Sequence, residues 1–319
     1  METSLRTVET NGITMSYREA GSGPLVVLLH GFPELGYSYR HQIKALADAG
    51  YHAVAPDQRG YGRTDAPADI ADYSLLHLAG DIIGLVRALG DERFVVVGHD
   101  WGSPVASALG LFRPVVVAGV ALLSVPYAPR GDVDSLTGLT KLLGPANYQQ
   151  YFQAPGVAEA AFEKDVRASM VSTLVGLSGD STEVATLTDG GATGIGRATG
   201  DGELPPWLTE ADVDFFVGEF SRSGWRGGLN WYRNSVPNWE MMAAWHRAPL
   251  LPPSLFVGGD RDPVLNWPGF RDMVDHLRES SMPNLTKAVV LEGCGHWIQQ
   301  ERPREINELL VEFLHAINY

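Results

Sequence analysis

Residues Gly98-His99-Asp100-Trp101-Gly102 set a carboxylate between two glycines. A run of β-forming residues, Phe94 to Val97, precedes them, and an Ala- and Leu-bearing helical pattern, Val105 to Leu111, follows. That order reads as a strand, a sharp turn and a helix. Glycines two residues either side of Asp100 let the backbone pack closely, while the middle residue is held strained with its side chain exposed. The familiar form of such an elbow carries serine at its centre. A carboxylate needs no base to activate it, because it is already an anion at pH 7. An aspartate nucleophile suits displacement at a saturated carbon, through an ester, rather than acyl transfer. Taken alone, the same five residues also fit a turn aspartate that caps the following helix.

Three further polar groups fall where apolar strand-like runs end: His30, Asp262 and His296. In open parallel sheets, ligands sit outside the carboxyl ends of the strands. Asp100, Asp262 and His296 follow one another as nucleophile, acid and histidine, the chain order of the α/β-hydrolase triad. His296, flanked by glycines in Glu292-Gly293-Cys294-Gly295-His296-Trp297, has an ordinary pKa near 6.5, so it can be neutral at pH 7 and act as a general base. Asp262 is favoured over Asp260 as the carboxylate that accepts the second N–H of the ring and fixes its tautomer. The loop His30-Gly31-Phe32-Pro33 fits an oxyanion hole, with the backbone N–H groups of Phe32 and Trp101 as donors. His30 and His99 read as residues that hold loops by hydrogen bonds.

The elements that must position these groups alternate. A hairpin about Asn11-Gly12 comes first, then the buried-strand run Leu25 to Leu29, a helical pattern, and a strand from His52 to Pro56. An amphipathic helix, Tyr73 to Leu89, leads to the elbow strand, and Val115 to Ser124 is strand-like again. Residues 130–245 change character to helical patterns, glycine and aromatics. They hold a capped helix from Leu208 to Phe220 and a glycine-rich stretch, Gly190 to Gly202, expected to be a mobile loop. The alternation resumes at Ser254 to Gly259, with a helix reaching about Arg278, a strand from Lys287 to Leu291 and a closing helix from Arg304 to Ile317. The pattern predicts an α/β fold, a mostly parallel sheet flanked by helices, with core segments 1–129 and 246–319 and an inserted helical cap at 130–245. No Gly-x-Gly-x-x-Gly fingerprint opens the first βα unit, which sets dinucleotide binding aside.

The chain has 319 residues and a net charge of -14, so nucleic acid and anionic membrane surfaces are poor partners. A single cysteine, Cys294, permits neither an internal disulfide nor a cysteine-based metal cluster. With no apolar run of signal-peptide or membrane-spanning length, a cytoplasmic protein is expected.

Together with His30-Gly31-Phe32-Pro33-Glu34, Asp57-Gln58-Arg59-Gly60-Tyr61-Gly62 and Gly295-His296-Trp297, the elbow resembles the α/β-hydrolase-fold epoxide hydrolases. The likeness runs over nearly the whole chain. It implies that two cap tyrosines bind and protonate the epoxide oxygen. By motif position they are Tyr148, in Tyr148-Gln149-Gln150-Tyr151, and Tyr232, in Asn230-Trp231-Tyr232-Arg233, with Tyr151 competing for the first place. Opening an epoxide leaves an alkoxide, which needs a proton, and a tyrosine O–H is a suitable donor. The expected substrate is a small apolar epoxide lined by Phe32, Trp101, Phe152 and Trp231, with no metal or organic cofactor. Exposed cap surface could pair two subunits as a homodimer. Haloalkane dehalogenases share the aspartate elbow followed by Trp, but usually offer an Asn or second Trp as halide donor where this chain has Phe32. A receptor on the same fold is the non-enzymatic alternative.

Overall fold

The computed structural model describes residues 3–181 and 204–319, so the expected loop at Gly190 to Gly202 lies outside the described residues. These residues form one eight-stranded sheet in the order β1-β2-β4-β3-β5-β6-β7-β8. The strands are β1 (Ser4–Thr10), β2 (Ile13–Ala20), β3 (Leu25–Leu29), β4 (His52–Pro56), β5 (Phe94–His99), β6 (Val117–Leu123), β7 (Ser254–Gly259) and β8 (Leu285–Leu291). The hairpin β1–β2 and the β2–β4 pair are antiparallel, and every pair from β4 to β8 is parallel. The continuous apolar runs of the central strands follow from this topology, since helices cover both faces. Leu25, Val27, Leu29, Phe94 and Val96 join the core on one face, and Val26, Leu28, Val95 and Val97 the core on the other. Helices α1 (Arg40–Asp48), α2 (Leu75–Ala88) and α3 (Gly102–Phe112) follow β3, β4 and β5. The terminal helix packs on α1 across the second core.

Among the described residues seven α-helices intervene between β6 and β7: α4 (Ser135–Leu143), α5 (Tyr148–Tyr151), α6 (Val157–Glu163), α7 (Val166–Gly176), α8 (Glu210–Ser223), α9 (Arg226–Arg233) and α10 (Ser235–Met241). Helix α8 begins at a reciprocal cap in which Thr209 and Asp212 satisfy each other's backbone N–H groups. These helices share a hydrophobic cluster with the core, and polar contacts also tie them to it. The Trp231 indole N–H donates to the Arg59 carbonyl at 3.1 Å, Asn234 donates to the Ile70 carbonyl at 2.6 Å, and Asn238 accepts from the Leu75 N–H at 2.8 Å.

After β7 the chain departs from the expected single helix. Pro268 and a left-handed Gly269 (φ 84°) delay helix formation to α11 (Phe270–Asp275), and α12 (Leu277–Ser280) is separate. The irregular stretch between them and β7 carries Asp262. Two helices, α13 (Ile298–Glu301) and α14 (Pro303–Ala316), end the fold, with Pro303 opening α14 where its missing N–H costs nothing. Among the described residues no helix is long and apolar enough to cross a membrane.

Candidate active site

Asp100 follows β5 with φ 49°, a left-handed conformation that costs a non-glycine residue about 1–3 kcal/mol. Its neighbours explain how the strain is held. A Cβ on Gly98 would lie 2.2 Å from the Gly102 carbonyl oxygen, and one on Gly102 would lie 2.0 Å from that of Leu29. Only glycine therefore lets α3 start this close to β3 and β5. The side chain does not cap α3, whose N-terminus has no side-chain cap. Instead Asp100 Oδ1 accepts the Phe32 backbone N–H at 2.7 Å. That contact leaves Oδ2 as the oxygen free of the loop.

Oδ2 lies 3.5 Å from His296 Nε2, and His296 Nδ1 lies 2.9 Å from Asp262 Oδ2. Asp100, His296 and Asp262, the expected nucleophile, base and acid, are thus in one line, from three strand ends. The other Asp262 oxygen accepts the Val264 N–H at 2.9 Å, so both oxygens are occupied. Asp260 accepts the Cys294 N–H at 3.3 Å and supports the loop before His296. His296 is buried, and burial opposes its charged form. The charge of Asp262 and the hydrogen bond and charge of Asp100 outweigh that, holding the ring well above its ordinary 6.5. The expectation of an ordinary titration at this histidine is therefore corrected: while Asp100 is an anion, His296 retains its proton.

The His30 and His99 rings both work in the frame. The Gln58 N–H donates to His30 Nε2 at 3.0 Å, so Nδ1–H faces the Gly31 carbonyl at 2.9 Å, and burial depresses the ring to about 4. His99 Nδ1 lies 2.5 Å from Glu34 Oε2 and Nε2 lies 2.7 Å from the His296 carbonyl. The ring is buried between the Glu34 carboxyl and the His296 carbonyl. Burial pushes the Glu34 carboxyl up, but the His99 charge and hydrogen bond overcome it and bring it down to about 2. Gln299 and Gln300 donate to the other Glu34 oxygen at 2.9 and 3.2 Å. Glu34 was legible only as part of a loop motif; its use as a buried counter-ion has no local signature.

Tyr148 and Tyr232 meet above this line, ring centroids 5.9 Å apart at 79°. Burial, then the Asp100 charge among other terms, raises both hydroxyls, so each stays protonated; at Tyr148 a hydrogen bond with Gln149 works against the shift. The Gln149 amide donates to the Tyr148 oxygen at 3.1 Å, leaving the Tyr148 proton free to be given away. Trp101 and Phe32 flank Tyr232 edge-on, at 5.1 and 5.3 Å. A cavity of about 480 Å³ reaches Asp100, Trp101 and Tyr148 and is walled further out by Val264, Trp267 and Phe270. Tyr151 is not on this wall and packs against Phe152. Tyr232 and the expected lining residue Phe32 are not on this wall either, and two more expected lining residues sit behind it. Phe152 is fully buried behind both tyrosines, at 5.5 and 5.0 Å, and Trp231 is fully buried with its N–H on Arg59. They shape the wall from behind.

Among the described residues no group of three His, Cys, Asp or Glu side chains could hold a metal ion. A model of the alpha/beta hydrolase fold matches residues 24–303. Epoxide hydrolase A of Mycobacterium tuberculosis (strain H37Rv) is 43% identical over 318 residues, taking in 98% of this chain and 97% of that one. Epoxide hydrolase 1 of Siraitia grosvenorii is 39% identical over 310 residues, 97% of each chain. Among solved structures, an epoxide hydrolase from an endophytic Streptomyces superposes with a TM-score of 0.93 at 46% identity, covering 99% of this chain and 96% of that one.

Proposed function

The chain belongs to the epoxide hydrolases of the α/β-hydrolase fold, which turn an epoxide into a vicinal diol, and we propose that Asp100 is its nucleophile, His296 its base and Tyr148 with Tyr232 its proton donors. One observation carries the assignment: Asp100 Oδ1 is held by the Phe32 N–H, Oδ2 lies 3.5 Å from His296 Nε2, and Asp100 and Tyr148 line one cavity.

In this reading Oδ2 attacks one epoxide carbon, and the carbon–oxygen bond of the ring breaks. The departing oxygen takes a proton from a tyrosine. Tyrosine suits the task because burial keeps both hydroxyls un-ionised until the alkoxide forms. The product is a hydroxyalkyl ester whose carbonyl oxygen is Oδ1, already hydrogen-bonded to Phe32.

Esterification removes the Asp100 charge, and with it part of what kept His296 protonated. The ring releases its proton, which makes good the one given by the tyrosine. The neutral ring then takes a proton from water, and the hydroxide attacks the ester carbon. Oδ1 becomes the oxyanion, stabilised by the N–H groups of Phe32 and Trp101; loss of one such donor costs roughly 3–4 kcal/mol in comparable sites. The ester bond breaks, the diol leaves with Oδ2, and Asp100 regains an oxygen from water.

The apolar wall from Trp101 to Phe270 favours a small apolar epoxide. We read residues 130–245 as the cap that supplies the donors. A product assay tests the reading, using an aryl epoxide, an aliphatic epoxide and a bromoalkane of similar size. Diol without bromide is expected. Bromide without diol would make the tyrosines packing residues and the aspartate that of a dehalogenase.

A further inference from the structure

The Glu301 side chain, at the end of α13, accepts three backbone N–H groups. Oε2 takes those of Gly179 and Gly295, each at 2.9 Å, and Oε1 takes that of Trp297 at 3.0 Å. Gly295 and Trp297 are the residues on either side of His296. Gly179 belongs to the segment that follows α7, within the stretch inserted between β6 and β7. The His296 N–H itself donates to the Leu177 carbonyl of that segment at 2.9 Å. The two chains touch with no room for side chains. A Cβ on Gly179 would lie 2.5 Å from the Gly295 nitrogen and 2.7 Å from the Cys294 carbonyl carbon, and one on Gly295 would lie 2.1 Å from the Gly179 nitrogen. Glu301 is almost fully buried; burial raises its carboxyl above the ordinary value, against the three N–H groups, which lower it.

We propose that Glu301 is a positioning residue for His296, a single carboxylate that clamps the base loop and the segment 177–179 together, so that seating this segment and aligning the base are one event. The inference rests on the reading of His296 as the base. The geometry gives the reason for a carboxylate here. Three converging donors need acceptors on both oxygens, and a carboxylate supplies them without a hydrogen of its own. A glutamine would set an NH₂ group against at least one of the three N–H groups, so the loop must shift on that side. His296 acts only on the ester, so a displaced base slows ester hydrolysis and leaves ester formation alone. A residue that merely stabilises the fold would lower both steps together.

The experiment compares the two half-reactions in Glu301→Gln, Gly179→Ala and His296→Gln. Formation of the ester is followed in a single turnover with styrene oxide, and its decay by the mass of the peptide carrying Asp100. Gly179 has ordinary backbone dihedrals, so alanine there acts through the clash alone and disturbs the same clamp from the opposite chain. Both clamp variants are expected to accumulate ester, with hydrolysis slowed by about 10²-fold, the scale of a small misplacement of a catalytic group. Ester formation should stay within about twofold of the wild type. Equal slowing of both steps, or hydrolysis at the wild-type rate in either folded variant, overturns the proposal. If Glu301→Gln does not fold, the Gly179→Ala result decides. If His296→Gln hydrolyses its ester as fast as the wild type, the assignment of the base fails first, and the proposal with it.

Discussion

His296 Nε2 lies 3.5 Å from Asp100 Oδ2, while Nδ1 of the same ring lies 2.9 Å from Asp262 Oδ2. One imidazole is thus shared between two carboxylates, and in the proposed mechanism only one of them changes charge. The proton on His296 is controlled by the state of Asp100.

Replacing Asp100 with Asn mimics the ester, and should lower the His296 pKa towards its ordinary 6.5. An NMR titration of the ring reads this directly. Stability follows with a definite sign. The wild-type folded value is raised, so its contribution is complete below the unfolded value and is lost as pH rises through the folded one. Asp100→Asn should show a smaller fall in stability over that alkaline window. An unchanged ring pKa would separate the two residues electrostatically.

His296→Gln should trap the ester. Turnover is expected to drop by about 10²–10⁴-fold, the usual contribution of a general base. A mass increase equal to the epoxide should appear on the peptide bearing Asp100. In the wild type, a single turnover in heavy-oxygen water should yield diol carrying light oxygen from Oδ2.

Tyr148→Phe and Tyr232→Phe should each slow ester formation, with the double variant losing about 10²–10⁴-fold and the singles less, since one donor remains. No ester should build up in any of them. Tyr151→Phe should match the wild type, because that ring packs on Phe152, whereas Tyr148 and Tyr232 pack on each other with the Asp100 charge acting on both. Stopped-flow Trp fluorescence on the four variants sorts these outcomes.

Asp262→Asn should cost about 10⁴-fold in turnover by offering His296 the wrong hydrogen-bonding partner. Asp260→Asn should cost little, since its carboxylate only steadies the Cys294 N–H. A larger loss at Asp260 than at Asp262, measured as kcat, reverses the assignment.

The buried Glu34–His99 pair predicts an acid limit. Glu34 is depressed to about 2 from 4.5, so its contribution is present above 4.5 and lost as pH falls through 2. Glu34→Gln leaves the His99 charge without its counter-ion and should destabilise the fold by about 3–5 kcal/mol at neutral pH. Urea unfolding of the two proteins across this range checks both the size and the direction.

How much of this was legible beforehand depended on whether a residue's role lay in its own neighbourhood. Asp100 announced itself through Gly98 and Gly102, since a strained turn needs those glycines nearby in sequence. The parallel strands were visible as unbroken apolar runs, because burial on both faces removes the alternation. Trp231 and Phe152 misled because an aromatic in a helix says nothing about which end of it meets the cavity. The broken helix after β7 was hidden in Pro268-Gly269, read as part of a longer helical pattern. Glu34 and Glu301 carried no local sign at all. Their partners, His99 for one and Gly179 for the other, come from distant parts of the chain.

The nucleophile follows β5, deep in the sheet, whereas the base follows β8, the edge strand, whose middle residues are exposed. Edges loosen before centres do. A molecule whose outer strand has slackened keeps its carboxylate in place and loses the means to release what it captures. On the proposed mechanism, disorder confined to the β8 end would turn a catalyst into a single-use scavenger that consumes one epoxide and keeps it.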